Sequence, residues 1–370
     1  MLDHIDSSFA IIGTEEEDAC PPDSHQQHNT PEKYLHHQSP PEPDFLQDRF
    51  RSRALSPIPI TIGVTDHGGR VNDQAGRKLF MMSKRVLRSA GLLGLSLLLF
   101  GGCSTLRVFF PSKTYETTAP EVPSTIKKPA VLLYSKTNGF RHDEAIPAAN
   151  ALLTKLAAER GWSVFATENG AIFNPIDLAR FTVVVWNNTS GDTLNPAQKK
   201  DWQAWLTSGG GAIAIHGAGG DSSYDWDWHP ENFIRAQFTM HTMGPQFQDA
   251  TAIVENADHP ATRELPATWT HNEEWYSFAE SPRDKGVDVL VRVDERTYDP
   301  TFSLFWMDTD IAMGDHPVVW SHCEGRGRVF FSALGHQAAA YQSAEMKALL
   351  GGALDWAADP ALADCESEDT

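Results

Sequence analysis

The stretch GGGAIAIHGA, residues 209–218, predicts a buried strand that ends in a sharp glycine turn. In α/β proteins a turn of this kind presents one side chain above the carboxyl edge of the sheet, where ligands usually bind. Hydrolases with this layout place Ser or Cys at that position, whereas this chain has His216 between Ile215 and Gly217. We therefore expect any chemistry at this edge to come from histidine and glutamate side chains.

The chain around this stretch alternates between apolar strands and helices. Strands are predicted at residues 130–135, 163–167 and 181–186 and in the run into His216, and helices at 145–160, from 175 and at 196–206. This alternation predicts an α/β fold with a doubly wound, mostly parallel sheet and right-handed crossovers. Beyond the glycine turn the pattern is less regular, with strands expected at 287–293, 318–321 and 327–332 and a closing helix at 341–357.

The overall charge limits the classes of partner. The 370 residues carry a formal net charge of −19, from 30 Lys and Arg against 49 Asp and Glu. A protein that binds nucleic acid must neutralise phosphates with cationic side chains, so we expect no nucleic-acid partner. An acidic surface also keeps a protein soluble and specifies no partner by itself.

The first 128 residues combine a polar extension, a signal peptide that does not lie at the N-terminus, and a linker. Residues 1–80 are rich in Pro, His, Asp and Glu, which predicts a disordered extension. Residues 81–103 combine a basic stretch with an apolar run that is too short to span a bilayer but suits a signal peptide. Because a signal peptide must lie at the N-terminus, we expect translation to begin at Met81 or Met82.

The signal peptide ends in LFGGCS, residues 99–104, which is similar to a bacterial lipobox and predicts lipidation of Cys103. A linker at residues 104–128, a folded domain at 129–360 and an acidic tail at 361–370 follow. The other cysteines are scattered and form no evident disulfide framework. Cys323 is accordingly expected to be a buried thiol.

Polar side chains that could carry chemistry follow several predicted strands. They are Arg141 and His142, His216, His241, Glu273 and Glu274, and His336. A single histidine at a strand end is more often a hydrogen-bonded structural residue than a catalyst, but several in one cleft indicate a site. The two glutamates leave two alternatives open: a solvated acidic pair, favoured for Glu273, and a catalytic role, favoured for Glu274.

Two kinds of chemistry fit these residue types. His216, His336 and Glu274 could hold a divalent metal such as zinc, although no H-E-x-x-H spacing supports it, and His241 is a further candidate ligand. The same side chains could instead work without a metal, with one removing a proton and another donating one. The stretch YDWDWH, residues 224–229, places Trp226 beside carboxylates. Such a mixture of aromatic and acidic side chains could bind a sugar, or the tryptophans could simply seal a loop against the domain.

The motifs together resemble the ThuA-like (trehalose utilisation) family over residues 129–359. They are TNGFRH at 137–142, GGAIAIHGA at 210–218, EEWY at 273–276, HPVVW at 316–320, GRGRVF at 325–330 and LGH at 334–336. The resemblance implies the fold of class I glutamine amidotransferases, with a flavodoxin-like sheet between helices, and a connection with disaccharide and keto-sugar metabolism. Amidotransferases of this fold carry Cys at the elbow where this chain has His216, so we do not expect glutamine hydrolysis.

From the residues and the resemblance, we expect an enzyme that isomerises, eliminates or hydrolyses a sugar or keto-sugar derivative. The residues expected at the reacting centre are His216, Glu274 and His336, and those expected to bind substrate are Arg141, His142, Tyr276 and Trp226. The protein would be anchored through Cys103 in a bacterial cell envelope, facing the periplasm or the outside. The alternatives are a non-catalytic carbohydrate-binding lipoprotein and a metal-dependent hydrolase.

Overall fold

The computed structural model describes residues 110–220, residues 225–359 and Cys365. The predictions for the extension, the signal peptide and Cys103 lie outside these residues, as does most of the tail. None of the helices in the described part of the chain is long and apolar enough to cross a membrane.

Within the described residues, the centre of the molecule is a nine-stranded sheet. Its strands are β1 (Ala130–Tyr134), β2 (Ser163–Thr167), β3 (Val183–Asn187), β4 (Gly211–Ile215), β6 (Gln248–Val254), β7 (Thr268–Glu273), β9 (Asp288–Asp294), β12 (Pro317–Glu324) and β13 (Gly327–Ser332). Outside this sheet, two small antiparallel pairs join β5 (Phe238–His241) to β8 (Tyr276–Phe278) and β10 (Thr301–Leu304) to β11 (Met307–Asp310).

The strand order is β2-β1-β3-β4-β13-β12-β9-β6-β7. The first five strands are parallel, and each later strand is antiparallel to its neighbour. β1, β3, β4 and β13 are fully buried, as expected of parallel strands that are covered on both faces. The predicted α/β class and the parallel core of the sheet are confirmed.

Helices cover both faces of this core. They are α1 (Ala145–Glu159), α2 (Pro175–Leu178), α3 (Pro196–Thr207) and α4 (Ala344–Ala358). A Cβ on Gly211 would meet the backbone of Ala357 in α4, and one on Gly327 would meet that of Leu206 in α3. Gly211 pairs with Arg328, so Gly211 and Gly327 point to opposite faces of the sheet, and α3 and α4 therefore pack on opposite sides.

The helix boundaries follow local signals in the sequence. Asn195 caps α3 in a capping box with Gln198, and Pro196 occupies the first turn. The closing helix begins three residues later than predicted, because the Ser343 side chain accepts a hydrogen bond from the Met346 N–H and caps it there.

The expectation for the cysteines was wrong. Cys323 in β12 forms a disulfide bond with Cys365, 42 positions later in the sequence. Cys323 is therefore not a free thiol, and the segment after α4 is tied covalently to the sheet. Spacing could not reveal this bond, since the return of the chain to β12 depends on how α4 packs.

Part of the predicted linker lies against the domain. The Ser112 hydroxyl donates to Asn138 Oδ1 at 2.8 Å, and the Tyr115 hydroxyl donates to Asp192 Oδ2 at 2.9 Å. The Lys136 ammonium lies 2.6 Å from Glu116 Oε1. Residues from 112 onward therefore pack on the loops that follow β1 and β3.

Candidate active site

The direction of the strands brings the polar loops to one edge of the sheet. The loop after β1 ends in His142, β4 leads directly into His216, and β13 is followed by His336. β7 lies four strands beyond β13, and the alternating directions make it run the same way as β13. Its carboxyl end, with Glu274 next in the chain, therefore faces the same edge.

His216 lies at the centre of this edge. Its backbone has a φ of +45°, a region that non-glycine residues rarely adopt, and its side chain is fully buried. The Nδ1–H group donates to the Ala333 carbonyl at 2.6 Å, which leaves a lone pair on Nε2. The Tyr276 hydroxyl donates to this Nε2 at 2.7 Å, and His336 Nδ1 lies 3.0 Å from it.

Glu274 is the carboxylate of the site and is buried. Its Oε2 lies 3.0 Å from His336 Nδ1 and 3.6 Å from His216 Nε2. Its Oε1 lies 3.2 Å from His241 Nδ1 and accepts a hydrogen bond from Gln246. Burial alone would raise the pKa of Glu274, but its contacts with the His216, His336 and His241 rings outweigh burial and hold the pKa far below 4.5. Glu274 is therefore ionised at neutral pH.

His142 closes the other side of the cluster. Its ring centroid is 4.9 Å from that of His216 and 4.6 Å from that of His336. Burial, together with the neighbouring imidazoles, lowers the pKa of His142 well below 6.5, so its ring is neutral. Among the described residues, its buried Nδ1 has no hydrogen-bond partner.

His142, His216, Glu274 and His336 form what we call the histidine cluster. One ligand atom from each lies within 4.8 Å of all the others. Imidazole nitrogen and carboxylate oxygen are ligands for zinc and related metals, and they are also the common groups of acid–base catalysis. The cluster can therefore hold a cation or move a proton.

Glu273 contacts backbone N–H groups, whereas Glu274 contacts histidine rings. Its carboxylate accepts hydrogen bonds from the backbone N–H groups of Gly335 at 2.6 Å, His336 at 3.2 Å and Glu274 at 3.0 Å. His271 lies 3.4 Å from the same carboxylate. The expectation of a solvated acidic pair was wrong, since both glutamates are buried, and Glu273 holds the loop that carries His336.

Arg141 lies at the rim of this edge. Its guanidinium donates two hydrogen bonds to the Glu168 carboxylate, at 2.7 and 3.1 Å, and lies 3.1 Å from Asp143 Oδ1. It is therefore engaged with surface carboxylates, while its neighbour His142 contributes to the cluster.

Trp226 belongs to an aromatic group whose ring contacts within the described residues do not include the histidine cluster. Its ring stacks on Trp228 with centroids 5.2 Å apart, lies 6.0 Å from the His229 ring and is approached by the Lys199 ammonium. His229 in turn packs against Trp186 of β3. These contacts favour the alternative that the tryptophans seal a loop.

Residues that the sequence did not single out complete the surroundings of the cluster. Phe140 and Phe247 flank the His336 ring, with centroids 6.4 and 4.9 Å away, and Gln246 binds Glu274. Phe140 lies inside the TNGFRH motif, so it could have been found. Gln246 and Phe247 lie in an irregular segment with no chemical signal in the sequence.

Comparison with known proteins identifies the family. The family described as ThuA, trehalose utilisation, matches residues 130–357, more than half of the chain. A ThuA-like protein from Bacteroides uniformis is 22% identical with a TM-score of 0.53, over 65% of this chain and 95% of that one. Another from Parabacteroides merdae is 18% identical with a TM-score of 0.48, over 63% and 90%. No curated protein matches. The chain thus belongs to the ThuA family.

Proposed function

We propose that this protein is an enzyme that processes a sugar or keto-sugar derivative at the histidine cluster. The reaction begins with removal of a proton from the carbon next to a keto group. The observation that carries the proposal is the convergence of three imidazoles and one ionised carboxylate, from four separate loops, at the carboxyl edge of the sheet. Buried titratable groups that gather at this edge are the usual mark of an active site.

The chemistry follows from the contacts of these groups. Removal of a proton next to a carbonyl needs a base and a hydrogen-bond donor within reach of one substrate atom. A substrate that displaces the 2.7 Å hydrogen bond between the Tyr276 hydroxyl and Nε2 of His216 frees both groups, so that Nε2 offers a lone pair and the hydroxyl offers a donor. The ionised Glu274 lies 3.6 Å from the same Nε2, so it would stabilise an imidazolium that forms there.

The role of His142 and His336 is to shape the position of the substrate. Both rings lie within 5.0 Å of the His216 ring, measured between centroids, and His336 is partly exposed. A substrate oxygen that enters from this open side meets His336 first. Isomerisation and elimination, two of the three reactions expected from the residues and the resemblance, both begin with this proton transfer.

The test is turnover of a panel of keto-disaccharides and their parent sugars, followed by mass spectrometry. The variant His216→Ala should lower turnover at least about 100-fold, the lower range for loss of a general acid or base. Its thermal unfolding must match that of the wild type, so that loss of folding is excluded. Turnover by the wild type that His216→Ala leaves unchanged would rule out the proposed site.

Trp226→Ala separates catalysis from the rival function, a non-catalytic carbohydrate-binding protein. If the protein only binds sugars on its tryptophans, calorimetry should show affinity lost in Trp226→Ala and kept in His216→Ala, with no product from any member of the panel. If it is an enzyme of the proposed kind, Trp226→Ala should retain turnover within about threefold, because Trp226 contacts Trp228 and His229.

We also propose that the protein is exported and anchored through lipid on Cys103. The disulfide between Cys323 and Cys365 supports export, because such bonds persist in oxidising compartments and are rare in the cytosol. The mass of the amino-terminal peptide tests it. A lipid-modified peptide that begins at Cys103 is expected, and an intact peptide that begins at Met1 would contradict it.

A further inference from the structure

We propose that His142, His216, His336 and Glu274 together bind one divalent transition metal ion of the zinc class. The proposal rests on the proposed function, since it assigns the ion to the same site. The set keeps His216, His336 and Glu274, which the sequence already offered as metal ligands, and has His142 in the place of His241.

The spacing of three donor atoms matches a tetrahedral site. His216 Nε2, His336 Nδ1 and Glu274 Oε2 are separated from one another by 3.0, 3.0 and 3.6 Å. Zinc bonds to nitrogen and oxygen are about 2.0–2.1 Å long, so two tetrahedral ligands are about 3.3 Å apart. The three atoms therefore already form one face of a coordination tetrahedron.

His142 supplies the fourth ligand. All four donor atoms lie within 4.8 Å of one another, so a small closing movement of this ring completes the set. Its ring is buried, and its Nδ1 has no hydrogen-bond partner in the described part of the chain.

The type of ligand selects the type of ion. Calcium and magnesium prefer oxygen atoms alone, whereas three imidazoles and one carboxylate suit zinc, manganese, iron or nickel. The surroundings also resemble those of metal sites, where a carbonyl or carboxylate orients each ligand. The Ala333 carbonyl orients His216, Gln246 orients Glu274, and Glu273 holds the backbone of His336.

Binding of the ion changes which groups handle protons. The lone pair of His216 Nε2 would be committed to the metal, and the hydrogen bond from the Tyr276 hydroxyl to that atom would be lost. The proton between His336 Nδ1 and Glu274 Oε2 would have to leave that position, for Nε2 of the same ring or for solvent. With the ion bound, the removal of the substrate proton that we proposed for His216 would pass to Tyr276 or His241, which both contact the cluster without belonging to it.

The test is metal content and metal affinity, measured on the purified full chain. Elemental analysis should find about one zinc per chain after incubation with zinc and removal of the excess. Calorimetry should show that His142→Ala and His336→Ala each weaken zinc binding at least about 100-fold, more than the loss of an outer partner of a ligand usually costs. The control His241→Asn should retain one zinc per chain.

Cobalt(II) provides a second readout that does not depend on activity. Bound to the wild type, it should give the intense visible absorption of a four-coordinate ion, and His336→Ala should alter that spectrum while its circular dichroism stays unchanged. Less than about a tenth of an equivalent of zinc, or equal affinity in His142→Ala, His336→Ala and wild type, would overturn the proposal. Turnover that survives complete removal of metal would show that the proposed function does not need the ion. Stoichiometric zinc without turnover of any sugar in the panel would support the metal site and contradict the proposed function.

Discussion

Two adjacent glutamates at the end of β7 show that neighbouring residues of one type can have entirely different contacts. Glu273 accepts hydrogen bonds from backbone N–H groups of the loop that carries His336, while Glu274 contacts the imidazoles of His216, His241 and His336. Successive side chains of a strand point to opposite sides, so neighbours of one type meet different surroundings. The sequence identified both as candidates but could not separate a positioning role from a chemical one.

His322 in β12 makes a pH-dependent contribution to stability. Its Nε2 donates to the Asn232 carbonyl at 3.0 Å, and burial, aided by nearby Arg235, lowers the pKa of His322 from 6.5 to about 3. The unfolded chain binds a proton on this ring below pH 6.5, whereas the folded chain stays neutral down to about pH 3. Its contribution is therefore complete above pH 6.5 and falls as the pH is lowered, by about 1.4 kcal/mol per pH unit.

His322→Gln removes this titration and keeps a donor for the Asn232 carbonyl. Between pH 7 and pH 5 the unfolding free energy of the wild type should fall by about 2 kcal/mol more than that of the variant. Urea denaturation at a series of pH values measures both. Other buried histidines, such as His229, contribute equally to the two proteins, so identical slopes would show that His322 is accessible to protons in the folded state.

At the scale of elements, the parallel half of the sheet could be predicted and the other half only in part. β1, β3, β4 and β13 are largely apolar and fully buried, because helices cover both of their faces. The strands that the sequence did not predict are short or mix exposed and partly buried residues, and they are β5, β6, β7, β8, β10 and β11. Their partners are chosen by tertiary contacts, which no local pattern of apolar residues records.

The packing of α4 can be tested with a pair of neighbouring glycines. A Cβ on Gly352 would lie 2.0 Å from the Pro260 carbonyl oxygen, whereas one on Gly351 would lie 3.4 Å or more from its nearest neighbours. Gly352→Ala should lower the unfolding free energy by about 1–3 kcal/mol, since backbone must move. Gly351→Ala should raise it by up to about 1 kcal/mol through helix propensity. Chemical denaturation compares the two, and equal effects would contradict the described contact.

For the whole molecule, the cluster depends on contacts between distant parts of the chain. His216 and His336 are 120 positions apart, and His336 and Glu274 are 62 apart. The sequence could place each side chain at a strand end, because parallel strands share an edge. It could not bring Glu274 to His336, since that contact requires the antiparallel half of the sheet.

The disulfide also acts on the whole molecule. It joins β12 to the segment after α4 and closes a loop across 42 positions. The double variant Cys323→Ser, Cys365→Ser should lose about 2–4 kcal/mol of unfolding free energy, because the unfolded chain is no longer restricted. Denaturation of the reduced wild type should give the same value, and a variant as stable as the oxidised wild type would show that the bond adds nothing.

Exchange of hydrogen with solvent tests the central claim, that the histidine cluster moves a proton next to a sugar carbonyl. The protein is incubated in deuterium oxide with each keto-disaccharide of the panel, and the sugar is examined by proton nuclear magnetic resonance. With the wild type, deuterium should replace hydrogen on the carbon beside the keto group of at least one sugar faster than it does without protein. With His216→Ala, the same exchange should fall to the uncatalysed rate. Exchange at the uncatalysed rate for every sugar with the wild type, or equal exchange by the variant, would contradict the claim.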